Sequence, residues 1–371
     1  MVVVDPRLQA YDFGPKHPLA PIRVLLTYEQ LEKHDLLSAS HVEVRELAAD
    51  FDEQLIADVH RADFIDAVKA ASTAEGHASP GFGLASLDVP IFEGMHAASA
   101  QVCAATFAAA EAVASGDALH AVNIAGGLHH SMPARASGFC VYNDIATSIS
   151  WLLSQGFERI AYIDVDAHHG DGVEAMFWND PRVMTISIHE SGKTLFPGTG
   201  HVSDIGGPNA KGFAVNIPVP AHTLDAAWLR AFEAVVPPLL EDFKPQVIFS
   251  QHGCDSHRDD PLTHLELTVD GQRAAYRLIH EWAHKYSDGK WIAVGGGGYA
   301  LYDVVPRIWT HLVAIVTHQE DAVSFTDDGA VSFSRFDDGW DPNNDIDRVI
   351  MATRRAIYPH HGLIADPSAS F

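Results

Sequence analysis

Asp164, Asp166 and His168 alternate along the run 159–172, which begins apolar and β-branched and then fills with acids and imidazoles. In an extended chain alternate side chains share a face, so these three meet on one edge of a strand end. Two carboxylates and an imidazole are costly to bury bare. A divalent ion removes that cost, and carboxylate plus imidazole is a ligand set suited to zinc or a similar first-row metal. The alternative is a hydrogen-bonded strand end with solvated acids, and the density of ligand types in so short a run argues against it.

Three further clusters could act on a substrate held there. Gly126-Gly127-Leu128-His129-His130 precedes Ser137-Gly138-Phe139-Cys140-Val141-Tyr142-Asn143-Asp144. On a loop both histidines can line a pocket, and each needs a partner to set its tautomer; Asp164 and Asp171 are candidates. A His–Asp pair beside a metal is equipment for general base and general acid steps. Gln251-His252-Gly253-Cys254-Asp255 supplies an acid that would complete an Asp166, His168, Asp255 ligand set, although a lone Asp more often caps a helix or forms a turn. Gly295-Gly296-Gly297-Gly298-Tyr299 lacks the spacing of a dinucleotide fingerprint. It lets backbone approach closely and aims Tyr299 inward, where a phenol donates to a developing oxyanion; a buried structural tyrosine is the plain alternative.

One match points elsewhere. His280-Glu281-Trp282-Ala283-His284 fits HExxH, two imidazoles one helical turn apart with a glutamate base. It falls on a connecting helix, and the next histidine, His311, belongs to another helix, so it reads as a solvated helix face. His360-His361 reads as polar surface.

The scaffold follows from periodicity. Strands are predicted at 183–188, 213–218, 246–250 and 291–294, alternating with helices at 224–243 and 270–286. Earlier helices are predicted at 23–37, 52–71, 93–116 and 142–156, with a Gly- and Pro-rich loop at 76–90. Alternation of this kind predicts an α/β fold, a mainly parallel central sheet with helices on both faces. Ligands in such sheets sit beyond the carboxyl ends of the strands, where all four clusters fall.

Composition narrows the function. With 371 residues the chain is read as one domain over 1–318 and an acidic extension over 319–371, rich in Asp327, Asp328, Asp337, Asp338 and Asp341 and packed on or trailing from the domain. A formal net charge of -25 argues against direct nucleic-acid binding and suits a cationic or lysine-bearing partner. No apolar run of membrane-spanning length and no signal-peptide pattern are read. Three cysteines without a CxxC imply no disulfide framework and a reducing cytoplasm, with Cys140 and Cys254 as buried thiols.

Taken together, His129-His130, Ala136-Ser137-Gly138-Phe139-Cys140, the run 164–172, Phe196-Pro197-Gly198-Thr199-Gly200 and the run 295–299 resemble the zinc-dependent histone deacetylase superfamily. Asp171 within His-His-Gly-Asp-Gly is similar to its class I branch, and Tyr11-Asp12-Phe13-Gly14-Pro15-Lys16-His17-Pro18 resembles bacterial members of that branch. The resemblance spans roughly 11–318. It implies the arginase/deacetylase fold and hydrolysis of acetyl groups from protein Nε-acetyl-lysine, with a metabolic enzyme such as acetyl-CoA synthetase as substrate. It implies Asp166, His168 and Asp255 as ligands of Zn²⁺, or Fe²⁺ in some members. His130 would be the main acid–base group, His129 would tune it, Asp164 and Asp171 would orient the two rings, and Tyr299 would polarise the acetyl carbonyl. The acyl-lysine would lie between Phe139 and Phe196, with its N–H on the Gly138 carbonyl and Asp88 gripping its backbone. Arg23 would line an acetate channel. K⁺ is implied at Asp164, Asp166, His168, Ser187 and Ile188, and again at carbonyls of Phe177, Asp180, Val183 and Phe213. Leu262, between Pro261 and Thr263, keeps the tunnel mouth apolar. Ser191-Gly192-Lys193-Thr194 matches no consensus and is a candidate specificity loop. Alternatives are an acetylpolyamine or other small-amide amidohydrolase, a non-catalytic acetyl-lysine binder and a two-metal ureohydrolase.

Overall fold

A computed structural model describes residues 1–47, 51–327 and 331–366; Asp328 lies outside these. Its strands are β1 (Val2–Val3), β2 (Val44–Arg45), β3 (His120–Asn123), β4 (Ile160–Asp164), β5 (Val183–Glu190), β6 (Ala214–Val219), β7 (Val247–Gln251) and β8 (Trp291–Val294). They form one sheet in the order β2-β1-β3-β8-β7-β4-β5-β6. Every pairing among them is parallel, a stricter result than the mainly parallel sheet expected.

The inner strands are apolar on both faces because helices cover both. Along β4, Ile160 and Tyr162 enter one core, while Ala161 and Ile163 enter the other. Along β8, Ile292 and Val294 share the first and Trp291 and Ala293 the second. The first core is closed by α3 (Ala62–Ala71), α4 (Met95–Ser115) and α5 (Asp144–Ser154). The second is closed by α1 (Ile22–Lys33), α7 (Asp225–Phe243), α8 (Val269–Tyr286), α9 (Val304–Val316) and α10 (Asp345–Ile357). Register levels the strand ends: Asp164 faces Ser187 and Gln251, Gln251 faces Val294, and Val294 faces Asn123.

Several elements differ from expectation. The stretch 52–71 is α3 preceded by a short helix, α2 (Gln54–Ala57), because Arg61 is extended (ψ 141°) and its N–H bonds the Pro133 carbonyl. A further helix, α6 (Asp171–Phe177), follows directly on the acidic run. The helix α10 was not expected; Asn344 caps it, and Ile346, Ile350, Met351 and Ile357 bury one face. In addition, α4 is long and apolar enough by length and composition to cross a membrane, against the reading that no such run exists. Alanine gives it that hydropathy, and 61% of its most apolar window is buried within the fold.

Candidate active site

The carboxyl ends of β3, β4, β7 and β8 open onto one buried group of side chains. After β4, Asp166 and His168 meet Asp255 from the loop after β7, with one ligand atom of each within 4.8 Å of the others. His168 Nδ1 lies 2.9 Å from Asp255 Oδ2 and 3.1 Å from Asp166 Oδ1. Gln251 Nε2 and the Gly297 N–H donate to Asp166 Oδ2 at 2.7 and 2.8 Å, and the Ala167 N–H donates to Asp255 Oδ1 at 2.8 Å. Gly253 and Gly297 have no room to be anything else: a Cβ would stand 2.0 Å from Asp166 Oδ2 and 2.1 Å from Asp255 Oδ2. Burial and the neighbouring Asp166 push Asp255 up to about 6. Two crowded carboxylates and an imidazole whose Nδ1 faces both are a donor set that fits a divalent cation.

Above it sit the two loop histidines. His129 Nδ1 is 2.8 Å from Asp164 Oδ2, and His130 Nδ1 is 2.7 Å from Asp171 Oδ1. Asp164 is held in turn by the Tyr162 hydroxyl at 2.6 Å. Burial alone would lower both imidazoles. For His129 the charges of Asp164 and Asp166 outweigh it, raising the ring to about 9. For His130 burial and the adjacent His129 prevail over Asp171, leaving it at about 4. The two neighbouring rings are thus shifted in opposite directions.

The loop that carries them is shaped by a residue the sequence reading did not single out. Asp144, the first residue of α5, accepts the N–H groups of Gly127 (3.0 Å) and Leu128 (2.8 Å) and the Thr106 hydroxyl (2.6 Å). Gly127 is left-handed (φ 99°), and a Cβ there would meet the Gly295 carbonyl at 2.5 Å. Asp260 was missed as well. It accepts the Tyr299 N–H at 2.8 Å, and burial with the Asp255 charge raises it to about 7. The only sequence signals were acids next to a helix start or in a turn, which ordinarily read as caps.

Burial and the nearby acids push the Tyr299 phenol well above its ordinary value, so it stays a donor. Phe139 sets its ring edge-to-face on Tyr299 at 5.7 Å, and Phe196 packs on His130 at 5.1 Å and His168 at 6.3 Å. Phe196 and Leu262 are exposed. Asp88 Oδ2 accepts the Gly138 N–H at 2.7 Å, and Cys140 Sγ donates to the Gly138 carbonyl at 3.1 Å. Arg23 is buried, donating to the carbonyls of Gly296 (2.7 Å) and Gly298 (3.2 Å) under the Trp309 ring. His169 bonds Thr199 and Glu174 and stays outside the ligand set. For the monovalent-cation positions, Ser187 lies in register with Asp164 and Ile188 follows it. Phe177, Asp180 and Val183 share one turn through Asp180 N–H to Phe177 O and Val183 N–H to Asp180 O, and the Phe213 carbonyl accepts from Thr185 beside them.

This arrangement defines a class, a metal-dependent amidohydrolase built on a deacetylase fold. The sequence pattern described as the histone deacetylase domain matches residues 17–316, and the chain belongs to the histone deacetylase family. It is 44% identical over 312 residues to the acetoin utilization protein AcuC of Bacillus subtilis (strain 168), covering 84% of this chain and 80% of that protein. To AcuC of Staphylococcus aureus (strain MSSA476) it is 40% identical over 313 residues, covering 84% and 79%. A crystal structure of an HDAC homolog complexed with SAHA superposes with a TM-score of 0.77 at 29% identity, covering 86% of this chain and 84% of that one. The chain is thus a deacetylase, a metal-dependent hydrolase that acts on an acetylated substrate.

Proposed function

We propose that this deacetylase removes acetyl groups from Nε-acetyl-lysine in proteins, releasing acetate, with Zn²⁺ or Fe²⁺ held by Asp166, His168 and Asp255. The observation that carries the reading is the pairing of an Asp171-oriented His130 with that ligand set, the two imidazoles of His130 and His168 lying 5.7 Å apart. When bound, the ion supplies Lewis acidity to the amide carbonyl and to water. His130 Nε2 takes the proton of the attacking water while Asp171 steadies the imidazolium. The proton then passes to the departing lysine nitrogen, and His129 beside it tunes the basicity of His130. The Tyr299 hydroxyl donates to the oxyanion, a contribution of about 2.7–4 kcal/mol to the barrier in comparable deletions. Phe139 and Phe196 flank the lysine stem, Gly138 and Asp88 engage the substrate amides, Leu262 forms an apolar rim, and Arg23 stabilises departing acetate.

Asp164, Asp166, His168, Ser187 and Ile188 would hold K⁺, whose charge would lower the cost of these crowded acids. The carbonyls of Phe177, Asp180, Val183 and Phe213 would hold a second K⁺. The three free, buried cysteines support a cytoplasmic setting. A metabolic enzyme such as acetyl-CoA synthetase is the substrate we favour. The formal charge of -25 suits an acetylpolyamine equally, which is the second reading.

Steady-state kcat/KM on an acetyl-lysine peptide and on acetylspermidine, after chelation and restoration with zinc or iron, separates these. Preference for the peptide is expected; a large preference for the polyamine overturns the protein-lysine reading.

A further inference from the structure

Four histidines converge at the end of the sheet opposite to the active site. His120 opens β3, whose other end leads into the catalytic loop. His280 and His284 are the two imidazoles of the HExxH match on α8, and His318 follows the C-cap of α9. One ring nitrogen of each lies within 4.8 Å of one from every other. His280 Nε2 and His284 Nε2 are 3.1 Å apart, and the His120 ring centroid is 4.9 Å from each of the other three. The reading of this motif as a plain solvated helix face therefore fails. The third and fourth partners exist, but they come from positions 120 and 318, far from the motif along the chain.

His120 makes this more than a surface cluster. It is 5% exposed, and its Nδ1 lies 3.2 Å from the Val316 carbonyl, which fixes the proton on Nδ1. Its Nε2 is consequently a buried lone pair, and among the described residues it has no hydrogen-bond partner. A buried acceptor without a donor is destabilising, and a metal-bound imidazole has this same arrangement, with its second nitrogen donating to a backbone carbonyl. His318 sits at φ 55° in the αL position after a helix, where glycine is usual, and the ring it places there completes the group.

We propose that His120, His280, His284 and His318 form a second metal site, for a zinc-class divalent ion, distinct from the catalytic one. Four imidazoles without carboxylate or thiolate suit zinc, nickel or copper and not magnesium or calcium. Tetrahedral zinc with bonds of about 2.0–2.1 Å needs nitrogen separations of about 3.3–3.4 Å. The His280–His284 pair already stands near one such edge, and exposed His284 and His318 are free to close on buried His120. Glu281 provides no base here; it lines a surface cleft with Arg273 and Arg277. His311 bonds the Phe325 carbonyl and takes no part. The site is structural. It clamps the first residue of β3 to the ends of α8 and α9.

The test uses full-length protein without a histidine tag, stripped with chelator and titrated with zinc, with bound metal counted by elemental analysis. Wild type should bind two equivalents, Asp255→Ala one, and the double variant His284→Ala/His318→Ala one. The double variant changes two exposed side chains, and after zinc loading it should retain wild-type deacetylase activity, which shows that it is folded. Its melting temperature should no longer rise when the second equivalent is added. A single equivalent in wild type, lost in Asp255→Ala, overturns the site. So does a second equivalent that persists in the double variant. Failure of the catalytic assignment would appear separately, as undiminished activity in Asp255→Ala.

Discussion

The Nε2 atoms of His129 and His130 stand 3.0 Å apart, while their Nδ1 atoms are held by different carboxylates, Asp164 at 2.8 Å and Asp171 at 2.7 Å. Two imidazoliums at that separation repel, so the pair shares its protons unequally. His129, closest to Asp164 and Asp166, keeps the charge; His130 gives it up.

That division sets a pH signature. Asp171 raises His130 against burial, so Asp171→Asn should lower the His130 pKa further below about 4. The acid limb of kcat/KM then moves to lower pH, since the base is lost only when His130 takes a proton. The plateau should fall by about 10–100-fold as the ring loses its orienting partner. Profiles of both proteins across the acid range check this, and a limb that moves upward contradicts the assignment.

Tyr299→Phe removes a donor without touching the metal ligands. We expect kcat to drop by about 10²–10³ with KM little changed. Elemental analysis should find the wild-type metal content. Retained turnover would remove Tyr299 from the mechanism.

Asp144 acts through the loop it holds. Asp144→Ala strands the N–H groups of Gly127 and Leu128, at a cost of about 1–3 kcal/mol for an unsatisfied buried group. Urea midpoints should show that loss, with activity falling alongside it as the His129 and His130 positions relax. Asp144→Asn keeps an acceptor oxygen and should lose less on both measures.

Asp327 offers a stability test remote from the chemistry. Burial opposes its ionisation, but hydrogen bonds from His257, the Val269 N–H and Arg307 hold its carboxyl at about 2, below the ordinary 3.8. A depressed carboxyl stabilises the folded state above the unfolded value, and that stabilisation is lost as pH falls through the folded value. The difference in unfolding free energy between wild type and Asp327→Asn should therefore be largest near neutrality and shrink between about pH 4 and pH 2. A gap that is constant over that range would show the contact to be electrostatically idle.

The strands that carry the site were readable because both of their faces are buried. A continuous apolar run ending in acids, as at Ile163 and Asp164, is unambiguous, and 291–294 was placed at its observed bounds. Asp166, His168 and Asp255 were legible as ligand types at strand ends. Asp144 and Asp260 were not, because each accepts backbone N–H groups from a segment distant in sequence, a relation with no local pattern. His120 and His318 escaped notice for the same reason. In α10 the signal was present but masked: Ile346, Ile350 and Ile357 keep helical spacing among Asp345, Asp347, Arg348, Arg354 and Arg355, and composition outweighed period.

The docking of α10 also bears on how the protein is made. Thr353 Oγ1 bonds the Asn216 carbonyl on β6, Arg230 of α7 pairs with Asp347 at 2.7 Å, and the Tyr358 hydroxyl bonds the carbonyls of Ala234 and Val235. A ribosome that has reached residue 318 has added every residue of the candidate active site but has left the flank of β6 and α7 without its covering helix. Until Tyr358 has been added the second core lacks the apolar face of α10, so a chain ended before it would leave that flank open to solvent.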